Sequence, residues 1–270
     1  MKAQILKGKK GLISGALDES SIAWKVAKQA VECGAEIMLT NAPVALRLGD
    51  ISELAKTIHA DLVPADATSM EDLNKLFDKV EAKFGKIDFM LHSIGMSPNI
   101  RKEKPYTNLD YNYLEKTYNV SAVSFHKMMN VAYNRDLMNR GGSIVGLSFI
   151  AAQRIFPKYS DMNDAKALLE SIGRTFGYYF GKKFQVRVNT VSQSPTVTTA
   201  GSGIAGFDQM FSFSEKMAPL GNASAEECAD FCIALFSDFT RKLTMQNLYH
   251  DGGFSSVGAA PEILDLLPLT

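Results

Sequence analysis

The sequence predicts an α/β fold: a single domain with a doubly wound parallel sheet and helices on both faces. Three observations carry this prediction. Short apolar runs alternate with longer amphipathic ones along nearly the whole chain. The amphipathic runs are long enough to be crossovers between parallel strands. No Pro/Gly/Ser-rich linker, composition shift, internal repeat or low-complexity tract divides the 270 residues, so one domain spanning 1–270 is expected.

The apolar runs at 11–14, 36–40, 62–64, 89–92, 143–148, 186–191 and 246–250 read as strands. Helical periodicity fills 22–33, 70–84, 113–138, 165–180 and 225–236. In such a Rossmann-type arrangement a ligand is expected beyond the carboxyl ends of the strands. After the first strand, Gly15 allows a tight turn, and Ser21 stands where a helix begins. Free amides at that helix start suit a pyrophosphate, although a strand-to-helix turn with a serine N-cap has the same pattern. The full Gly-x-Gly-x-x-Gly fingerprint is absent, because Ala16, Leu17, Ser20 and Ser21 occupy the remaining loop.

Twenty-nine basic residues balance twenty-nine acidic ones, which argues against nucleic acid as the main partner. The first ten residues lack the apolar run of a signal peptide, and no stretch approaches a membrane span. Even 231–236 is short and flanked by Asp230 and Asp238. Three cysteines suit a reduced cytoplasm, where the protein is expected to be soluble. Cys228 and Cys232 share a helical face without a nearby His or further Cys, so they read as small core residues and no metal is expected.

Tyr159 and Lys166 carry the chemistry. On one helix, residues at this spacing return to nearly the same face after two turns. A phenol can donate to a reacting oxygen, and a nearby ammonium favours its ionised form and can also hold a ribose. Two further Tyr–Lys pairs, Tyr178 with Lys182 and Tyr179 with Lys183, have three intervening residues. They fall at the far end of the same helical pattern and read as a helix C-terminus with favourable cations.

With six residues between Tyr159 and Lys166, and Phe149 upstream, the chain resembles the enoyl-acyl-carrier-protein reductases of bacterial type II fatty-acid synthesis. Four further segments match in order: Gly15 followed by Ser21-Ile22-Ala23-Trp24, Asp66 after the third strand, His92-Ser93-Ile94-Gly95, and Asp251-Gly252-Gly253-Phe254. The resemblance runs from about Gly8 to Phe254. It implies Tyr159, Lys166 and Phe149 at the reaction centre. Cofactor contacts are implied at Gly15, Ser21, Ile22, Ala42, Asp66, Ala67, Ile94, Lys166, Thr196 and Thr198, and substrate contacts at Ser97, Phe149, Tyr159, Ile204, Phe207 and Met210. His92 itself reads as a packed or capping histidine.

Asn41-Ala42-Pro43 offers neither a carboxylate for a ribose 2′-hydroxyl nor a cation for a 2′-phosphate; Arg47 is the nearest Arg. Neutral residues here resemble the NADH-using members, so NADH is expected in preference to NADPH. The implied reaction is reduction of the trans-2 double bond of an enoyl thioester on acyl carrier protein. Phe149 stands where many members carry a second tyrosine. It cannot donate a hydrogen bond, which leaves Tyr159 as the only phenol. Ser148 reads as structural or, as in ordinary short-chain reductases, as a partner of the substrate carbonyl. Asn119 is similar to the asparagine that anchors a relay water in those enzymes.

Ser192 to Ala200 replaces the family's nicotinamide loop, with Pro195 retained and Ser194 in place of glycine. The segment 196–216 is expected to be a substrate lid, with glycine hinges and bulky apolar groups, against the alternative of a buried short helix. Carrier docking in relatives uses basic residues there, whereas this chain has Ala205, Asp208 and Gln209, with Lys216 the first cation. The family also implies a homotetramer, with interfaces on the long helices. A ketone-reducing short-chain enzyme acting on 3-oxoacyl thioesters, and a non-catalytic nucleotide sensor, are the rival readings.

Overall fold

The computed structural model describes residues 4–202 and 206–265. Its sheet contains β1 (Lys10–Ser14), β2 (Glu36–Asn41), β3 (Asp61–Pro64), β4 (Ile87–His92), β5 (Met138–Ser148), β6 (Arg187–Gln193) and β7 (Asn247–His250). The strand order is β3-β2-β1-β4-β5-β6-β7, and every neighbouring pair is parallel. The order reverses between β1 and β4, where the two following loops diverge and leave a crevice at the carboxyl edge.

The helices are α1 (Ile22–Glu32), α2 (Ala45–Leu48), α3 (Ile51–Thr57), α4 (Met70–Phe84), α5 (Pro98–Arg101), α6 (Tyr111–Tyr118), α7 (Ser124–Asn134), α8 (Met162–Phe184), α9 (Thr199–Ser202), α10 (Phe207–Met217), α11 (Ala225–Phe236) and α12 (Pro261–Leu264). Alternation along the strands divides the core between the two faces of the sheet. Ile13, Leu39, Leu91 and Val145 pack with Trp24 of α1 and Phe236 of α11. Their neighbours Leu12, Met38, Met90 and Ile144 pack with Phe77 of α4, Phe125 of α7 and Phe180 of α8.

Local chemistry fixes several element ends. Ser69 caps α4 by accepting from the Asp72 amide, and Glu71 and Asp72 complement the positive end of the helix. Ser224 and Glu227 form a reciprocal capping box at α11. The α4 face Leu73, Leu76, Phe77, Val80 and Phe84 is buried, each large side chain contributing about 1.5–3 kcal/mol.

Two helical expectations require correction. The pattern at 113–138 is not one helix: α6 passes through a π-helical turn, Asn119–Val123, into α7, which ends at Asn134. Met138 already belongs to β5, paired with Ile87 across an irregular register, so β5 begins five residues before the expected 143. At the other helix, α8 extends beyond 165–180 in both directions. It stops where Gln185 turns left-handed at φ 55°, before Val186 and β6.

Cys228 and Cys232 are fully buried in the core. Burial and the neighbouring Cys232 push the Cys228 thiol up, with the Cys232 contact the larger cause. No helix among the described residues is long and apolar enough to cross a membrane.

Candidate active site

The turns after β1 and β4 meet at the crevice. Gly15 has φ +96°, and a Cβ there would fall 1.9 Å from the Ser93 carbonyl oxygen, so this approach requires glycine. Asn41 at the end of β2 donates from Nδ2 to the Ala16 carbonyl (2.8 Å) and accepts the Ala42 amide through Oδ1 (2.8 Å). It therefore shapes the loop instead of presenting a free polar group beside Ala42. Ser21 occupies the N-cap of α1 without capping it. Its hydroxyl donates to the Asp18 carbonyl (2.8 Å) and accepts the Leu17 amide (3.2 Å). The side chain leaves the amides of Ile22 and Ala23 uncapped at the positive end of the helix, a suitable anion cradle.

Asp66 folds onto its own loop, where Oδ1 accepts from the Thr68 amide and hydroxyl, both at 2.8 Å. Ala67 and Ile94 beside the crevice are half-buried. A Cβ on Gly95 would lie 3.5 Å from Met162 Cε and 3.9 Å from Lys166 Nζ, so the β4 loop packs directly on the reactive segment of α8. His92 is fully buried, with Nε2 bonded to Ser124 Oγ (2.7 Å). Burial and then the Lys166 charge push its pKa down to about 3, in keeping with a packed neutral ring.

Tyr159 and Lys166 do not share a helix, contrary to expectation. Tyr159 closes a 3-10 turn, Pro157–Tyr159, and Ser160 follows with φ 46° before α8 begins at Met162. A non-glycine residue in this backbone region stores strain. Buried Asp161 holds the junction by accepting from Ser97 Oγ (2.6 Å), Asn99 Nδ2 (2.8 Å) and Thr117 Oγ1 (2.8 Å). Ser97, expected at the substrate, thus commits its hydroxyl proton to Asp161 and also accepts the Ile100 amide to cap α5. Burial raises the Tyr159 pKa well above the ordinary phenol value, so a lowering by Lys166 does not dominate here. The Lys166 ammonium donates to the Leu147 carbonyl (2.8 Å), and burial pushes its pKa down to about 8 against the opposing charge of Glu170.

Ser148 and Phe149 end β5 beside this turn. Ser148 Oγ donates to Glu170 Oε1 (2.7 Å), so its proton is not directed at a substrate carbonyl. Glu170 Oε2 also accepts from Gln153 Nε2 (3.1 Å), and Gln153 is in turn bonded to the Tyr249 hydroxyl. Phe149 meets the Tyr159 ring edge-on at 5.1 Å and Phe156 at 5.2 Å. Asn119 opens the π-helical turn and accepts from Lys127 (2.9 Å), which also reaches the Thr68 carbonyl. Its amide oxygen is therefore engaged away from Tyr159.

Beyond β6, Ser194 fills the role of the missing glycine without positive φ. Its hydroxyl accepts the Ala223 amide (2.7 Å). Gln193 joins His250 Nδ1 (2.7 Å) to Thr196 Oγ1 (3.1 Å), bringing the last strand and this loop together. Thr198 Oγ1 accepts the Gly201 amide (3.0 Å) and starts α9. Ser20 Oγ accepts the Thr199 amide (3.1 Å), linking the first turn to this segment.

A cavity of about 520 Å³ opens beside Tyr159, the only tyrosine among the described residues on its wall. Phe156, Met210, Phe213, Met217 and Phe254 supply apolar lining, while Arg154 and Lys158 also border it. Lys158 Nζ donates to Gln209 Oε1 (2.6 Å), tying the reactive turn to α10. Met210 faces the cavity; Phe207 is 6% exposed, meets Phe211 at 6.0 Å and does not border it. Ile204 lies outside the described residues. Sequence reasoning missed Asp161 and Glu170, although Glu170 follows Lys166 at the (i, i+4) helical spacing that marks a shared face.

The sheet order, the tight turn after β1 and the Tyr/Lys segment after β5 define a dinucleotide-dependent short-chain reductase fold. The model of the enoyl-(acyl carrier protein) reductase family matches residues 15–255, and the chain belongs to that family. It is 34% identical to "Enoyl-[acyl-carrier-protein] reductase [NADH] 1" of Rhizobium meliloti, covering 96% of each chain. It is 30% identical to "Enoyl-[acyl-carrier-protein] reductase [NADH] FabI" of Bacillus subtilis, covering 92% of this chain and 96% of that protein. The FabI-NADH complex from Alistipes finegoldii shares its fold with TM-score 0.96 and 60% identity, covering 98% of this chain and 94% of that chain.

Proposed function

We propose that the protein uses NADH to reduce the trans-2 double bond of enoyl thioesters carried by acyl carrier protein, in type II fatty-acid synthesis. The observation that carries this reading is the single phenol, Tyr159, on the wall of an apolar cavity. Phe149 has no donor, and Ser148 gives its proton to Glu170. A donor at the oxygen stabilises the developing enolate, and Tyr159 is the phenol placed to supply it.

The residues present suit the cofactor. The Gly15 turn and the amides at Ile22 and Ala23 offer a pyrophosphate cradle, with Ser21 shaping the loop. Ala42 leaves the ribose side neutral, Asp66, Ala67 and Ile94 would border the adenosine path, Thr196 would lie beside the nicotinamide amide and Thr198 beside the pyrophosphate. NADH, when bound, supplies the hydride that reaches C3 of the substrate. Lys166 holds the ribose and keeps the field positive, Tyr159 hydrogen-bonds the thioester oxygen as charge develops, and Phe149 with Met210 packs against substrate. Segment 196–216 serves as the lid of a single domain. Cytoplasmic localisation, the carrier protein as partner and a homotetramer using the exposed α8 residues Tyr178 and Tyr179 complete the reading.

The test follows NADH and NADPH oxidation with 2-enoyl and 3-oxoacyl thioesters in parallel. Rapid NADH oxidation with the enoyl substrate alone is expected. Turnover of only the 3-oxoacyl substrate would replace this proposal with ketone reduction, and cofactor binding without any turnover would favour a sensor.

A further inference from the structure

Lys166 and Glu170 lie one turn apart on the inward face of α8, 8% and 3% exposed. Glu170 is held by two neutral donors, Ser148 Oγ at 2.7 Å and Gln153 Nε2 at 3.1 Å. Lys166 is held by one neutral acceptor, the Leu147 carbonyl, at 2.8 Å. Ser148 directly follows Leu147, so the same end of β5 anchors both charges. Neither group has a salt-bridge partner among the described residues. A buried charge with only neutral contacts is costly, and an opposite charge one helical turn away offsets part of that cost.

We infer that Glu170 is a positioning residue: its carboxylate keeps Lys166 charged and aimed for the cofactor ribose, while drawing the Ser148 proton away from the substrate. The inference rests on the proposed ribose role of Lys166. Other groups near this wall do not replace the negative charge. His92 on β4 is held neutral by burial and by Lys166 itself, and Tyr159 on the preceding turn is neutral through burial. Asp161 is a carboxylate too, bonded to Ser97, Asn99 and Thr117, but Glu170 is the one that acts on Lys166. Asp164 accepts from the hydroxyls of Tyr106 and Tyr118. Burial lowers the Lys166 pKa to about 8, and Glu170 is the charged group that opposes the shift.

The test is the dissociation constant of NADH, read by fluorescence titration from about pH 6 to 10 for the wild type, Glu170→Gln, Glu170→Asp and Lys166→Ala. Wild-type affinity is expected to weaken as Lys166 loses its proton. In Glu170→Gln that weakening should move about one unit towards lower pH, with affinity at pH 6 within about twofold of wild type. Glu170→Asp, which preserves the charge, should retain the wild-type midpoint and serves as the decisive comparison if the Gln variant folds poorly. Lys166→Ala should bind weakly at every pH. A Glu170→Gln profile with the wild-type midpoint and uniformly weaker binding, or an Asp variant shifted like Glu170→Gln, would overturn the inference while leaving the ribose reading intact. Retention of the wild-type pH dependence by Lys166→Ala would remove the ribose reading, and the inference with it.

Discussion

The Tyr159 phenol, the proposed donor, lies in an environment that strongly disfavours its ionised form, because burial raises its pKa. It is therefore suited to hold a proton until negative charge appears on a substrate oxygen. Tyr159→Phe should reduce kcat by about two orders of magnitude with little change in NADH affinity, because only the oxygen contact is removed. Steady-state kinetics with a matched NADH titration checks this; a loss below about threefold would assign the proton donor elsewhere. His92 makes a different prediction. Its pKa of about 3 lies below the ordinary 6.5, so the unfolded chain gains this proton first as pH falls. Through that window folding is penalised by up to ~1.4 kcal/mol per pH unit. His92→Gln should flatten the fall of melting temperature between pH 6.5 and 3, and an unchanged slope would assign the acid sensitivity to other groups. The Tyr159–Lys166 segment was legible as a candidate site, but the shared helix expected from its spacing is not the structure that forms. Asp161 and its three donors hold a strained Ser160 between them, and those donors come from segments distant in sequence.

At the scale of elements, α4 and α11 have the bounds their periodicity predicts because serine caps mark their starts. The π-helical turn at Asn119–Val123 was not legible, since an extra residue in a turn leaves an apolar pattern nearly continuous. The strand beginning at Met138 was hidden for a related reason: residues 139–142 are polar or glycine, and the pairing passes through an irregular register. The β1 turn was legible through Gly15, but its reason is tertiary, the approach of the Ser93 carbonyl. Gly15→Ala should lower stability by more than ~1 kcal/mol and weaken NADH binding, because both the backbone angle and the contact oppose a methyl group. Wild-type melting temperature and affinity in that variant would mean the two loops separate freely. The end of β2 is the proposed determinant of cofactor choice. Arg47 on α2 is exposed, and among the described residues only its backbone amide is bonded, to the Val44 carbonyl (3.2 Å). NADH should be preferred over NADPH, and Ala42→Arg should narrow or reverse that preference by offering a cation for the 2′-phosphate. A wild-type preference for NADPH would show that Arg47 reaches the site.

At the scale of the whole molecule, the cavity is assembled from three parts far apart in sequence: the Arg154–Tyr159 turn, α10, and the segment after β7 containing Phe254. Phe254 meets Phe156 at 6.0 Å and Phe213 at 6.0 Å, so an aromatic wall joins all three. An acyl chain entering beside Tyr159 would exchange water for this wall, contributing up to ~0.8 kcal/mol, or about fourfold in kcat/KM, for each methylene buried. Specificity should therefore rise stepwise with chain length until the cavity is filled. Met210→Ala should penalise long enoyl substrates more than a four-carbon one, because Met210 borders the cavity and a short chain reaches little of it. Phe207 provides the contrast. It is buried but not on the cavity wall, so Phe207→Ala should lower stability by about 3 kcal/mol and affect all chain lengths similarly. Kinetics across a chain-length series, paired with thermal denaturation, separates the two roles. If Phe207→Ala selectively penalises long chains while Met210→Ala reduces only stability, the substrate path follows the face of α10 that carries Phe207, and the cavity beside Tyr159 is not the acyl channel.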